Sequence, residues 1–149
     1  MAAGKLQQAP FDLAGAKIAT SICYEMAYPD VLRAQLNGAN LMLNTSNDAW
    51  FGDSLAAHQH LEMARARAKE FAKPIVRATN NGITAVIGAD GVVLDKIQQF
   101  QPGVLRQQVR LNSTMTGFAK TGQLFIALCM LALLVLLGVT CRARTAVAE

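Results

Sequence analysis

The alternation of apolar and polar positions divides the chain into short strand-like runs, two helical stretches and one long uncharged segment. Residues 16–23, AKIATSIC, are small and β-branched and read as a strand. Pro29 suits the first position of a helix, so PDVLRAQLNGAN reads as a short helix stopped at Asn37-Gly38. The apolar run ANLMLNTS, residues 39–46, has strand length and suits a strand covered on both faces. Strand, helix, strand is the order of a βαβ unit. Ser54 can cap a second helix running to about Ala72, in which Ala57, Leu61, Ala64, Ala68 and Phe71 form one apolar stripe. That stripe is mostly alanine, so the helix can pack closely on a sheet, and Pro74 ends it. IVRATN, ITAVIGA and VVLDKI follow, with hairpin turns expected at Asn81-Gly82 and Asp90-Gly91. GVLRQQVRL, residues 103–111, reads as a further strand, and the opening MAAGKLQQAPFDLAG reads as a loop.

The uncharged segment changes the picture most. From Thr121 to Cys141 no charged residue occurs, and as a helix this run would reach about 31 Å, the thickness of a bilayer's hydrocarbon core. One transmembrane helix over 121–141 is therefore expected, followed by a short polar tail, 142–149. Being C-terminal, the run is not a signal peptide. Arg142 and Arg144 follow it while Arg106, Arg110 and Lys120 precede it, so the distribution of positive charge does not fix its orientation. The formal charge of +4 comes from Lys and Arg scattered among acids, with no basic face interleaved with aromatics, so nucleic acid is not an expected partner.

Three cysteines give no disulfide framework, because Cys129 and Cys141 belong to the apolar run. Cys23 stands where a strand gives way to a turn and helix. It is either a small buried hydrophobe or a nucleophile. Strand ends in α/β sheets leave backbone N–H groups free, so a thiolate there can attack an acyl carbon while the following N–H holds the oxyanion. His58, His60 and Glu62 resemble a ligand cluster, but positions i and i+2 of a helix point about 200° apart and no metal site is expected. Glu62 with Arg65, and Arg67 with Glu70, read as i,i+3 surface pairs. Asn47 and Asp48 read as a turn, and Trp50 and Phe51 as either core or pocket residues.

Taken together and in order, SICYE (21–25), NTSNDAWFG (44–52), HQHLEMARARAKEFAKPIVRATNNGITAVIGADG (58–91) and the apolar run resemble the C-terminal part of the apolipoprotein N-acyltransferases. These form the membrane-bound bacterial branch of the nitrilase (carbon–nitrogen hydrolase) superfamily. The resemblance implies an α/β fold: the C-terminal half of a nitrilase-like α-β-β-α sandwich over 1–117, then one transmembrane helix. It also implies the periplasmic face of the bacterial inner membrane. In that family a Glu-Lys-Cys triad takes an acyl chain from a phospholipid as a cysteine thioester. The chain then passes to the α-amine of an S-diacylglyceryl-cysteine lipoprotein. No cofactor or metal is implied. By this resemblance Cys23 is the nucleophile, Tyr24 the backbone oxyanion donor, Glu25 the residue ordering the cysteine loop and Trp50 a substrate-pocket residue.

The departures are specific. The family's Glu and Lys lie upstream of the cysteine, and Lys5 and Lys17 are the only lysines before Cys23, neither in the expected motif. Glu25 follows the nucleophile and does not replace the missing base. The chain is accordingly expected to be a fragment with one third of the triad. A free thiol is only a few per cent ionised at neutral pH and a positioned base is worth about 10²–10⁴ in rate, so little acyl transfer is expected from it alone. A nitrilase-like amidase, or a membrane-anchored domain without catalysis, are the alternative readings.

Overall fold

Six strands form one sheet in the order of the chain: β1 (Phe11–Leu13), β2 (Ala16–Ile22), β3 (Leu41–Asn47), β4 (Ile75–Asn80), β5 (Thr84–Ile87) and β6 (Val93–Ile97). The computed structural model describes residue 5 and residues 7–147, with side chains described as far as residue 138. β2, β3 and β4 run parallel, and the remaining neighbours are antiparallel. The parallel pairs need crossovers, which α1 (Pro29–Gln35) and α2 (Ala56–Phe71) supply. Two of the three hairpins, β4–β5 and β5–β6, turn at the Asn81-Gly82 and Asp90-Gly91 pairs read from the sequence.

The core lies between the sheet and α1 and α2. Ala19, Met42, Ile75, Ala85 and Ile87 from the strands meet Leu32 and Leu36 of α1 and Leu61, Ala64, Ala68 and Phe71 of α2. All five residues of the predicted α2 stripe are buried. The alternate strand positions Ile18, Leu41, Leu43 and Val76 are only half-buried, because the helices cover one face of the sheet. The fold is thus a mixed α/β sheet with α1 and α2 packed on one face.

Four expectations need correction. The opening segment is not all loop: Phe11–Leu13 pairs with β2, because Ala14 and Gly15 both take left-handed φ and close a tight hairpin. Residues 103–111 do not join the sheet. The segment just after them is instead fixed by Lys73, whose buried Nζ donates to the carbonyls of Asn112 (2.8 Å) and Thr114 (2.6 Å). Burial pushes that ammonium below its ordinary value. The α2 N-cap is Leu55, with the Ser54 hydroxyl accepting from the Ala56 N–H at 3.3 Å.

The fourth concerns the expected span over 121–141. A short helix, α3 (Gly117–Thr121), ends at Gly122, and α4 (Leu124–Val147) starts anew, so the run is broken near its beginning. Side chains from residue 139 onward, Cys141, Arg142 and Arg144 included, lie outside the described residues, as do residues 148 and 149 of the expected tail. Among the described residues no helix is long and apolar enough to cross a membrane. From Leu124 to Leu137 the apolar side chains of α4 are exposed.

The alanine seam of α2 carries a stability prediction. Ala64→Leu forces a larger side chain between α2 and the sheet and should cost about 1–3 kcal/mol in urea unfolding, whereas Ala66→Leu on the exposed face of the same helix should stay within about 0.5 kcal/mol. Equal effects at the two positions would contradict close helix–sheet packing.

Candidate active site

The parallel register brings three strand ends to one edge of the sheet. Ile22 of β2 stands beside Thr45 of β3, and Asn47 of β3 beside Asn80 of β4. Three turns therefore cluster there: a 3₁₀ turn over Cys23–Ala27, a second over Asp48–Phe51, and the Asn81-Gly82 hairpin. Cys23 begins the first with φ +51°, a left-handed conformation that costs a non-glycine residue about 1–3 kcal/mol unless its surroundings impose it. The Ile22 N–H donates to Glu25 Oε2 at 2.8 Å and closes the turn from one side. Cys23 is half-buried and, with Ile22, Thr45, Asn47, Trp50 and Asn80, lines an open cleft of about 600 Å³.

Beneath this edge lies a buried polar network. Asn44, Asp48, His60 and Arg77 are each at most 1% exposed. Arg77 donates from Nη1 to Asn44 Oδ1 (2.5 Å) and from Nη2 to Asp48 Oδ2 (2.7 Å). Ser46 donates its hydroxyl to Asp48 Oδ1 at 2.5 Å, and His60 Nδ1 lies 3.1 Å from the same oxygen and 2.9 Å from Arg77 Nη2. The other ring nitrogen, Nε2, reaches the Cys23 carbonyl at 3.1 Å. Asn44 Nδ2 donates to Ser21 Oγ (3.0 Å) and approaches the Cys23 carbonyl at 3.4 Å. Burial alone drives the Asp48 carboxyl up. The His60 and Ser46 hydrogen bonds and the charges of Arg77 and His60 outweigh it and leave Asp48 below its ordinary value. Burial pushes the Arg77 guanidinium down, opposed by the charge and hydrogen bond of Asp48 and by charge at Cys23.

The residues singled out in the sequence fall on both sides of this edge. Cys23, Tyr24 and Glu25 share the first turn, and Trp50 stands 88% exposed on the second, across the cleft from Cys23. Asn47 and Asp48 do form a turn, as read, and Asp48 is in addition the buried acceptor at the centre of the network. His58 is exposed while His60 is buried, so the two part company as their spacing requires. The Glu62–Arg65 and Arg67–Glu70 pairs form as read.

Sequence reasoning missed Asn44 and Arg77 and misjudged His60. Period-two phasing held the signal: Asn44 shares a strand face with buried Met42, and Arg77 with buried Ile75. His60 sits three residues from Ala57 and four from Ala64, on the apolar stripe itself. A polar residue in the inward phase of three adjoining elements points to one shared buried cluster.

A family model, carbon-nitrogen hydrolase, matches residues 1–116. The chain belongs to the carbon-nitrogen hydrolase family. It is 46% identical over 123 residues to the apolipoprotein N-acyltransferase of Shewanella oneidensis, covering 82% of this chain and 24% of that protein. The apolipoprotein N-acyltransferase of Photobacterium profundum is 40% identical over 120 residues, 80% of this chain and 23% of the relative. The chain thus spans about a quarter of the length of these relatives. Among solved structures, a carbon-nitrogen hydrolase from Helicobacter pylori G27 superposes with a TM-score of 0.58 at 18% identity, over 64% of this chain and 41% of that one. An amidase from Nesterenkonia sp. gives 0.54 at 24% identity, over 65% of this chain and 40% of that one. The fold is shared.

The network makes a prediction at Gly82. A Cβ there would lie 2.2 Å from Asp48 Oδ2, so the carboxylate must move or the turn must open. Asp48 has a depressed folded pKa, so its contribution is present above its ordinary value of 3.8 and is lost as pH falls through the lower folded value. Gly82→Ala should therefore destabilise the chain by about 1–3 kcal/mol at neutral pH and flatten this acid limb, read by urea unfolding between pH 2 and 7. A wild-type acid limb in the variant would show that Asp48 keeps its partners.

Proposed function

We propose that the chain is the C-terminal catalytic part of an apolipoprotein N-acyltransferase. The observation that supports this best is Cys23 in a left-handed turn at the carboxyl end of β2, facing an open cleft, within a chain 40–46% identical to proteins of that name. In this reading the Cys23 thiolate adds to the ester carbonyl of a phospholipid. The Tyr24 N–H meets the oxyanion, and collapse releases the lysophospholipid alkoxide, which takes its proton from the general acid. The α-amine of a diacylglyceryl-cysteine lipoprotein then adds to the thioester carbonyl, gives up a proton to the general base, and the intermediate collapses to the amide and expels the thiolate. Glu25 keeps the turn closed through the Ile22 N–H, and Trp50 offers an exposed aromatic wall to the acyl chain.

The general base and lysine of the triad are assigned to the remainder of the polypeptide, the three quarters of the relatives that this chain does not span. The same remainder supplies the second sheet of the α-β-β-α sandwich, against the half-covered face of β2–β4. The exposed apolar side chains of α4, with an uncharged sequence continuing to Cys141, favour insertion in a bilayer over contact with water. A lipid donor accounts for that arrangement, since a two-chain lipid stays in the membrane and the site must come to it. In this reading the domain lies on the periplasmic face of the inner membrane of a bacterium.

The test is a chimera in which this chain replaces the matching segment of the Shewanella oneidensis relative. Incubated with phospholipid, it should carry an acyl group on Cys23 by intact-protein and peptide mass spectrometry. Cys23→Ala should abolish the adduct, and the chain alone should form it about 10²–10⁴-fold more slowly for want of the base. Lipoprotein acylation that persists in the Cys23→Ala chimera would overturn the proposal.

A further inference from the structure

We infer that His60 is a positioning residue for the Cys23 turn, gripping the Cys23 carbonyl and thereby aiming the Tyr24 N–H, and that it is not a base toward the thiol. An aspartate–histidine pair near a cysteine invites the opposite conclusion, because such a pair activates a thiol when a free ring nitrogen faces the sulfur. Here both nitrogens are engaged elsewhere. A carbonyl oxygen only accepts, so Nε2 at 3.1 Å from it carries the proton. Nδ1 accepts from Arg77 Nη2 at 2.9 Å when the ring is neutral and donates to Asp48 Oδ1 at 3.1 Å when it is protonated. The ring is 1% exposed, met edge-on by Phe51 and at a tilt by Tyr24 with centroids 5.8 Å away in each case. No nitrogen is left to take a thiol proton.

The grip has a directional consequence. The carbonyl of Cys23 and the N–H of Tyr24 belong to one planar trans peptide, so they point in opposite directions. His60, with Asn44 Nδ2 at 3.4 Å, draws the carbonyl inward toward the buried network. The Tyr24 N–H is thereby turned away from the network, toward the side on which Cys23 is open. Arg77 and Asp48 fix the ring from behind, so the network reaches this edge through the imidazole, with Asn44 Nδ2 as the longer second contact.

This inference rests on the nucleophile reading only in giving the Tyr24 N–H an oxyanion to meet, and the test separates the two. In the 149-residue chain held in detergent, with Cys129→Ser and Cys141→Ser leaving Cys23 as the only thiol, two reactions are compared. Acylation by a p-nitrophenyl ester passes through an oxyanion as the thiolate adds and p-nitrophenolate leaves. Alkylation by iodoacetamide displaces iodide and makes no oxyanion. His60→Leu should lower the ratio of acylation to alkylation rates by about tenfold, the equivalent of one hydrogen bond of ~1.4 kcal/mol. His60→Gln, whose amide can donate to the same carbonyl, should hold the ratio within about threefold, the spread expected for an imperfect hydrogen bond.

An unchanged ratio in a natively folded His60→Leu chain overturns the inference. So does a wild-type ¹⁵N spectrum in which the His60 ring is protonated on Nδ1 and bare on Nε2, a measurement that needs no variant to fold. A wild-type ratio no higher than that of N-acetylcysteine would remove the oxyanion role proposed for Tyr24. In that case the grip on the carbonyl is decided by the ¹⁵N spectrum, where protonation on Nε2 supports it and a bare Nε2 refutes it.

Discussion

A carboxylate and a guanidinium have been taken out of water beneath the edge of a sheet, and the candidate site is arranged around that fact. Burying two charges costs several kcal/mol per ion, which their attraction offsets only if every remaining donor and acceptor is closely matched. Asp48 meets this demand with Arg77, Ser46 and His60, and Arg77 adds Asn44 but leaves its buried Nε without a hydrogen-bond partner, so the match is close on the carboxylate side and incomplete on the guanidinium. The members come from four places in the chain: Asn44 and Ser46 from β3, Asp48 from the turn after it, His60 from α2 and Arg77 from the middle of β4. The pair can be satisfied only when all of these are docked, so it acts as a lock on their relative placement. His60 then carries the lock to Cys23, whose left-handed backbone is braced locally by the Ile22–Glu25 hydrogen bond and from the core by the imidazole.

Much of the fold was legible because it follows from periodicity. The alanine stripe of α2, the proline at the start of α1, the turns at Asn81-Gly82 and Asp90-Gly91 and the βαβ unit of β2, α1 and β3 were all read from spacing and turn residues; that β4 joins β3 in parallel was not. What failed did so for physical reasons. Phe11–Leu13 is too short to show alternation, and it is a strand only because Ala14 and Gly15 turn the chain back on β2. Residues 103–111 have strand-like composition but form no ladder with either edge strand, and a buried lysine holds the chain just beyond them. The apolar run of 121–141 was read as one helix, yet Gly122 breaks it and restarts it at Leu124.

The site was legible in part. Cys23 was marked by its position at a strand end, and the family resemblance placed Tyr24, Glu25 and Trp50 around it. The network was not seen because its members were weighed singly. His60 was judged as a metal ligand beside His58, Asp48 as a turn residue, and Asn44 and Arg77 passed as ordinary strand residues. Polar side chains in the inward phase of β3, β4 and α2 are costly singly, and the register Asn44↔Arg77 across β3 and β4 is what makes them a pair. Reading inward polar residues across elements, by register, recovers the cluster.

The central claim is that the buried charges hold the cysteine turn. The double variant Asp48→Leu/Arg77→Met tests it most directly, because replacing both members of a buried ion pair by apolar side chains of similar size is often neutral for stability and leaves the fold intact. Its crystal structure should show the His60 ring released from the Cys23 carbonyl and the φ of Cys23 moved from +51° to a negative value. A cysteine still at positive φ, with its carbonyl still held by His60, would contradict the account.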